Sequence, residues 1–464
     1  MAKSICILLI ALLVAPSLAT AQDTLVVSLS SVMTRSLEIS PEVRAKEAKT
    51  DYAEARHRLA RASRFLTNFT ATSAHSTAPG LDNPNGTNSE QLYLDPDVRN
   101  DWQNLSMFNR VEFSALQPLW TWGEIGKSIE AAKAGVEVEE AATLETSSQV
   151  AERAAQLYFA LQYSEALSNL TIEAGEIVER ALKEINRMIE EGDDGVDDAD
   201  LFQVKITEQE FLQRVVEVDE SRKTARAALS RLMFLPDGQT VGLESSILDR
   251  LEFLLEPLDF YQEQAISFRP ELARASAGME ARLALVDVAK SHLYPKLFLG
   301  LTGRWSYAPG RERQPNPYVG DSFLSRKVEI GFGFRQNLNF VQTRAKIAQA
   351  EAESAEVGFQ NDAARQLVLF EVEEAFRNVL IARSAMDSQE QKLQISKEWL
   401  RLEEVNFDLE VGDTENLVKA VKENLSIRAS RQEAVYKYNV AVIKLLSKSG
   451  ILIQSLEAGT LVGL

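Results

Sequence analysis

The sequence predicts an α+β membrane protein made of one plan used twice: short two-faced strands, four per chain, carried on very long helices. Three observations predict it. One order of elements occurs twice along the 464 residues; the strands set charged residues directly behind apolar ones; and the helices run for tens of residues without proline.

In chain order, Lys3 precedes an apolar run from Ile5 to Val14, and Ala19-Thr20-Ala21 forms a small-x-small cleavage site. Residues 1–21 therefore read as a secretory signal peptide, with the mature chain starting at Gln22. The run is too short for a transmembrane helix. Cys6, the only cysteine, leaves with the signal, so the mature chain forms no disulfide.

The first repeat spans 22–236. Ile39-Ser40-Pro41-Glu42-Val43 opens a helix that runs to Phe65, since proline in the first turn followed by an acid marks a helix start. A strand hairpin occupies 64–117. Its first strand, about Arg64 to His75, sets Phe69 and Ala71 against threonines. In its second, Met107 to Gln117, Met107, Val111, Phe113 and Ala115 oppose Arg110, Glu112 and Ser114. The residues between, from Ser76 to Leu105, hold Pro79-Gly80, Asn83-Pro84-Asn85-Gly86 and Asp95-Pro96, which is turn chemistry. A helical hairpin over 122–235 completes the unit, with its turn at Gly192 to Gly195 and its return from Asp200 to Leu235.

A linker or equatorial segment, 237–258, leads to the second repeat, 259–448. Phe268-Arg269-Pro270-Glu271-Leu272 opens the matching helix, which runs to Tyr294-Pro295. The strand hairpin spans 296–338. Leu297, Leu299, Leu301, Trp305 and Tyr307 oppose Lys296, Thr302, Arg304 and Ser306; Val328, Ile330, Phe332, Phe334 and Leu338 oppose Lys327, Glu329, Arg335 and Asn337. The strand exits match: Gln117-Pro118-Leu119 in one repeat, Gln336-Asn337-Leu338 in the other. The helical hairpin, 341–448, turns at Gly412-Asp413 and returns as Asn416 to Ser447, leaving 449–464 as a tail.

This is period-two patterning, and about ten residues cross a bilayer when tilted. A soluble sandwich also alternates, but it needs many strands around a core. The lipid-facing set is Val111, Phe113, Leu299, Leu301, Trp305, Ile330, Phe332 and Phe334; the lumen-facing set is Arg110, Glu112, Arg304, Lys327, Glu329 and Arg335. Trp305 and Tyr307 stand where an interfacial aromatic girdle is expected. Turn-rich polar loops between such strands belong on the outer surface. Four strands close no barrel, and lipid tolerates no open edge, so copies must associate: two give eight strands, three give twelve. The long helices, Ile125 to about Glu190 and Thr343 to about Glu410, are each on the order of 100 Å. Leu170, Ala174, Ile177, Ala181, Ile185 and Met188 in one, and Val368, Val372, Ala375, Val379, Ala382 and Met386 in the other, recur at coiled-coil spacing.

Composition removes other classes. A net charge of −18 argues against nucleic acid, whose phosphates need basic excess. His57, His75 and His292 are scattered, without metal-ligand spacing or a partner nucleophile. Glu373-Glu374 and Glu403-Glu404 lie inside helical patterns and read as solvated faces. No enzyme, cofactor or metal is expected.

The paired Pro41-Glu42 and Pro270-Glu271, the exit Gln117-Pro118-Leu119 followed by Gly123, and the tips Gly195 to Lys205 and Val411 to Ala420 resemble the TolC family of outer-membrane factors over nearly all of the mature sequence. The resemblance implies a homotrimer in the outer membrane of a Gram-negative bacterium. It would form a twelve-stranded barrel continuous with a periplasmic coiled-coil tunnel. Such a subunit is a passive exit duct of a tripartite efflux or type I secretion system, docking on a periplasmic adaptor and an inner-membrane pump or transport ATPase. Departures lie at the second strand-to-helix junction, Asn339-Phe340-Val341-Gln342-Thr343, which lacks the usual glycines, and at Asn416-Leu417, which replaces the common Asp-Leu matched by Asp200-Leu201. Asp193, Asp194, Asp197, Asp198, Asp200, Asp413 and Glu415 crowd the two tips. They read either as a gate or as a solvated acidic loop. Asp200 comes first because it matches the acidic position that constricts the entrance in relatives. The competing reading of the whole chain is a periplasmic coiled-coil adaptor or structural protein. Adaptors flank one helical hairpin with a lipoyl-like module, whereas this chain has two hairpins and membrane-type strands.

Overall fold

The computed structural model describes residues 24–65, 68–86, 96–191, 198–311, 320–409 and 414–459. The first part of the chain forms β1 (Thr24–Val27), α1 (Leu29–Ile39), α2 (Pro41–Ala62), β2 (Asn68–Asp82), β3 (Arg99–Trp120), α3 (Glu124–Glu191), α4 (Asp198–Leu232) and β4 (Thr240–Leu243). The second forms α5 (Leu258–Phe268), α6 (Pro270–Ser291), β5 (Lys296–Tyr307), β6 (Arg326–Arg335), α7 (Phe340–Asp408), α8 (Thr414–Lys448) and α9 (Leu452–Glu457). None of the described helices is long and apolar enough to cross a membrane. The residues fall into two compact units.

One unit comprises the described residues of Met1–Glu47, Ala142–Leu272 and Ala364–Leu464. Its core is helical. On α7, Val368, Val372, Ala375, Val379 and Met386 are buried against Ala151, Ala154 and Tyr158 of α3 and Tyr438, Val442 and Leu446 of α8. The small residues on α3 let the backbones approach, and each buried Val or Leu contributes roughly 1.5–3 kcal/mol. The matching stripe of the first repeat behaves differently. Leu170, Ala174, Ile177 and Met188 line a cavity of about 1330 Å³ together with α4 and α8. Segment 237–258 is more than a linker. It supplies β4, which pairs in parallel with β1, Thr24 opposite Thr240 through Val27 opposite Leu243. Parallel pairing across so long a connection has no local sequence signature.

The other unit comprises Ala48–Ala141 and Ala273–Ala363 and holds the four-stranded sheet. Its order is β2-β3-β5-β6, antiparallel throughout, so the two hairpins join through β3 and β5 while the outer edges of β2 and β6 have no strand partner among the described residues. The first hairpin is longer than its alternation suggests. β2 has 15 residues and β3 has 22, against 12 and 10 for β5 and β6. Part of the predicted loop from Ser76 to Leu105 is therefore strand. Gly80, Leu81 and Asp82 pair with Asp101, Asn100 and Arg99, where polar residues on both faces erase the period. β6 stops at Arg335, so Asn337 and Leu338 leave the strand; the Phe340 amide turns back onto the Leu338 carbonyl at 2.9 Å. The helices before the strands also end early, at Ala62 and Ser291.

Beyond the sheet's middle, Ala78, Phe108 and Ala308 form a small second core with Phe323, whose ring meets Phe108 edge-on at 5.3 Å. Arg311 pins it. Its nearly buried guanidinium pairs with Asp321 at 2.8 Å, donates to the Pro79 and Gly80 carbonyls, and lies over the Phe323 ring.

Candidate channel wall

Residues directly opposite one another in an antiparallel sheet share a face. Leu299 lies opposite Phe332 and Leu301 opposite Ile330, while Leu297 meets Phe334. Across the other seam Leu301 meets Ala115, Gly303 meets Phe113, and Trp305 meets Val111. The eight apolar residues Val111, Phe113, Leu299, Leu301, Trp305, Ile330, Phe332 and Phe334 thus stand on one face. Ile330, Phe332 and Phe334 are 72%, 77% and 77% exposed, more than an ordinary soluble surface leaves apolar in one patch. Trp305 stacks on Tyr307 at the end of this band.

The opposite face carries the charges. Thr302 lies opposite Glu329 and Arg304 opposite Lys327, with Lys296 opposite Arg335. Glu112 lies opposite Arg304, and Arg110 opposite Ser306. Glu112 accepts from Arg304 at 2.7 Å and lies 3.9 Å from Arg110. Two glycines on the sheet are explained by rings lying across it: Phe113 fills the place a side chain at Gly303 would need, and Phe298 does so at Gly333.

Local bonds fix how strands leave for helices, and the two repeats use one device. Gln117 donates to the Arg64 carbonyl at 2.9 Å, and Gln336 donates to the Leu293 carbonyl at 3.2 Å. The matched glutamines of the two strand exits each tie the outgoing strand to the end of the preceding helix. The glycine difference also has a cause. At the first junction Trp122 and Gly123 have φ of 55° and 89°, the left-handed region that favours glycine. No residue from 336 to 343 is left-handed, so the second junction needs none. Trp122 donates to the Pro295 carbonyl at 2.8 Å and stacks on Tyr294, and Glu124 accepts from His292 at 3.0 Å and Lys296 at 2.6 Å. His292 is thereby a structural partner of the junction, and no metal-ligand cluster occurs among the described residues.

In the helical unit, Arg428 of α8 grips Glu173 of α3 with two bonds of 2.7 and 2.6 Å. Those bonds hold the Glu173 carboxyl below its usual range and push the Arg428 guanidinium up. Tyr163 and Tyr436 stack across the same helices at 5.3 Å, and burial raises both phenols. Of the tip acids, Asp193, Asp194, Asp197 and Asp413 lie outside the described residues. Asp198 and Asp200 stand in the first turn of α4, and the exposed Glu415 in the first turn of α8. There the helix dipole favours negative charge.

Residues 262–445, nearly all of the second repeat, match the model of a family described as outer membrane efflux protein. Over 91% of the chain, the fold is that of solved outer-membrane channels. The outer-membrane channel OprN is 16% identical, with a TM-score of 0.70 over 91% of this chain and 89% of its own. The Campylobacter jejuni CmeC outer membrane channel gives 16% and 0.71 over 91% and 86%. The open state of the Neisseria gonorrhoeae MtrE outer membrane channel gives 16% and 0.70 over 91% and 89%. No curated protein matches the chain by sequence.

Proposed function

We propose that this chain is one subunit of a trimeric efflux channel in the outer membrane of a Gram-negative bacterium, a passive duct that completes an export path begun by a periplasmic adaptor and an inner-membrane pump or transport ATPase. The observation that carries this reading is the sheet: one face apolar, one face charged, and both outer edges without a strand partner among the described residues. An even number of antiparallel strands lets β6 of one copy pair with β2 of the next without breaking the alternation of direction. The apolar set from Val111 to Phe334 then meets lipid, and Arg110, Glu112, Arg304, Lys327, Glu329 and Arg335 line the water-filled bore. Chemical cross-linking of protein extracted from outer membranes should trap trimers. Only monomers or dimers would defeat the proposal.

The tip acids belong to the same reading. Threefold symmetry repeats each inward carboxylate into a ring, and rings of acids at a constriction favour cations. Asp200 is the first residue assigned to that gate, with Asp193, Asp194, Asp197, Asp198, Asp413 and Glu415 around it. Asp197→Asn combined with Asp200→Asn should weaken cation preference at the periplasmic end, measured as reversal potential in a planar bilayer. An unchanged potential would leave these acids as a docking surface or a solvated turn.

A further inference from the structure

The charged face of the sheet is unbalanced, and its imbalance has the opposite sign from the chain. Five bases, Arg110, Lys296, Arg304, Lys327 and Arg335, share that face with two strand acids, Glu112 and Glu329. The chain as a whole carries −18.

The register makes this more than a tally. Arg304 stands directly opposite Lys327, and Lys296 directly opposite Arg335. Like charges placed so cost stability in a sheet, and a purely structural face would avoid them. Neutralisation is partial. Glu112 serves Arg304 at 2.7 Å and is shared with Arg110 at 3.9 Å, while Lys296 is held by Glu124 at 2.6 Å. No carboxylate among the described residues pairs with Lys327 or Arg335; the Arg335 guanidinium instead lies over the Phe298 ring, 5.6 Å from its centre.

Both of those residues sit on β6, an edge strand that a neighbouring copy would cover. Its closing strand is β2, and from Asn68 to Leu81 that strand contains no Asp or Glu on either face. Along that stretch, therefore, no register of β6 against β2 places a carboxylate directly opposite them.

We infer that the polar face of the barrel sheet is an anion-attracting filter, with Lys327 and Arg335 as its selectivity-determining side chains and small anions or anionic groups of cargo as its occupants. This rests on the proposed reading of that face as the bore. Rings of Lys and Arg select anions as rings of acids select cations. The duct then has two filters of opposite sign, a basic one in the membrane and an acidic one at the tip.

The test uses the whole assembled channel in a planar bilayer under a potassium chloride gradient. Replacing Lys327→Gln together with Arg335→Gln should lower the chloride-to-potassium permeability ratio by about tenfold or more, since by Coulomb's law losing even one unit charge roughly 6 Å from an ion in water shifts chloride and potassium about threefold each, in opposite directions. Lys327→Arg should leave it unchanged. If the double variant does not assemble, Lys327→Cys is modified after assembly, the only native cysteine being Cys6. A cationic thiol reagent should restore the ratio and an anionic one lower it further. If the Lys327→Cys channel is labelled and the charge of the label leaves the ratio unmoved, the filter is overturned and the bore is kept. Water-borne reagents that label Val328→Cys and not Lys327→Cys overturn the bore itself.

Discussion

The two Pro-Glu helix starts look alike in sequence and are held by very different means. In the first repeat Glu42 pairs with Arg153 at 3.1 Å, both side chains more than half exposed. In the second, Arg269 is 5% exposed and binds Glu271 through two nitrogens, Glu371 at 2.8 Å and the Lys448 carbonyl at 2.9 Å, while Lys448 adds a 3.1 Å contact to Glu371. One guanidinium therefore joins the start of α6, the middle of α7 and the end of α8. Close by, Gly450, at φ 77°, leaves no room for a side chain against the Phe268 and Arg269 backbone. Both repeats carry the local signal that starts a helix, but the energy attached to that signal depends on burial.

Removing the two arginines should break the likeness most sharply. Arg269→Met strands two carboxylates and a carbonyl in a partly desolvated site and should cost about 3–5 kcal/mol. Arg153→Met should cost under about 1 kcal/mol, because solvent screens the exposed pair. Melting of the purified assemblies gives both values, and similar losses would mean that burial does not separate the repeats.

The strand faces sharpen the comparison within the sheet. Asp at Leu301 or Phe332 should block assembly, since a charge on a lipid face costs up to about 2–4 kcal/mol near the bilayer middle. Asp at Thr302, the neighbour of Leu301 on the opposite face, should be tolerated. Heat-resistant oligomer on a gel reads the outcome, and equal tolerance at all three would refute the assignment of faces.

The smallest effect is in acid. Burial alone would raise the Glu371 carboxyl, but hydrogen bonds from Arg269 and Lys448 outweigh it and hold it below its ordinary 4.5. A depressed carboxyl contributes stability above its unfolded value and loses it as pH falls through the folded one. The melting temperature should therefore drop as pH falls below 4.5, and Glu371→Gln should flatten that limb. A variant with the same acid slope as the parent would assign the loss to other carboxylates, such as Glu173 beneath Arg428.

The alternation from Val328 to Phe334 is legible because successive strand residues point to opposite faces, whatever lies around them. The absence of proline across α3 and α7 works the same way, since a helix is made of contacts within four residues. The unequal fate of the two coiled-coil stripes was not legible. Val368 to Met386 and Leu170 to Met188 have nearly the same spacing, yet one is core and the other lines a cavity. What covers a stripe is set by helices distant in the chain. The tip acids stayed ambiguous for a related reason: a carboxylate in a helix's first turn is favoured by the dipole whether or not it lines a bore.

By itself, then, the sequence determined what repeats at short range: the duplicated order, the two-faced strands, and helices that start at Pro41 and Pro270. Only the tertiary structure decided which distant segments meet. It paired Thr24–Val27 with Thr240–Leu243, set β3 beside β5, extended the first hairpin through residues polar on both faces, and buried Arg269 among three helices. Backbone geometry imposes periodicity residue by residue, so neighbours suffice to reveal it. Pairing and burial are energies between residues far apart in the chain, and their partners exist only once the chain has folded.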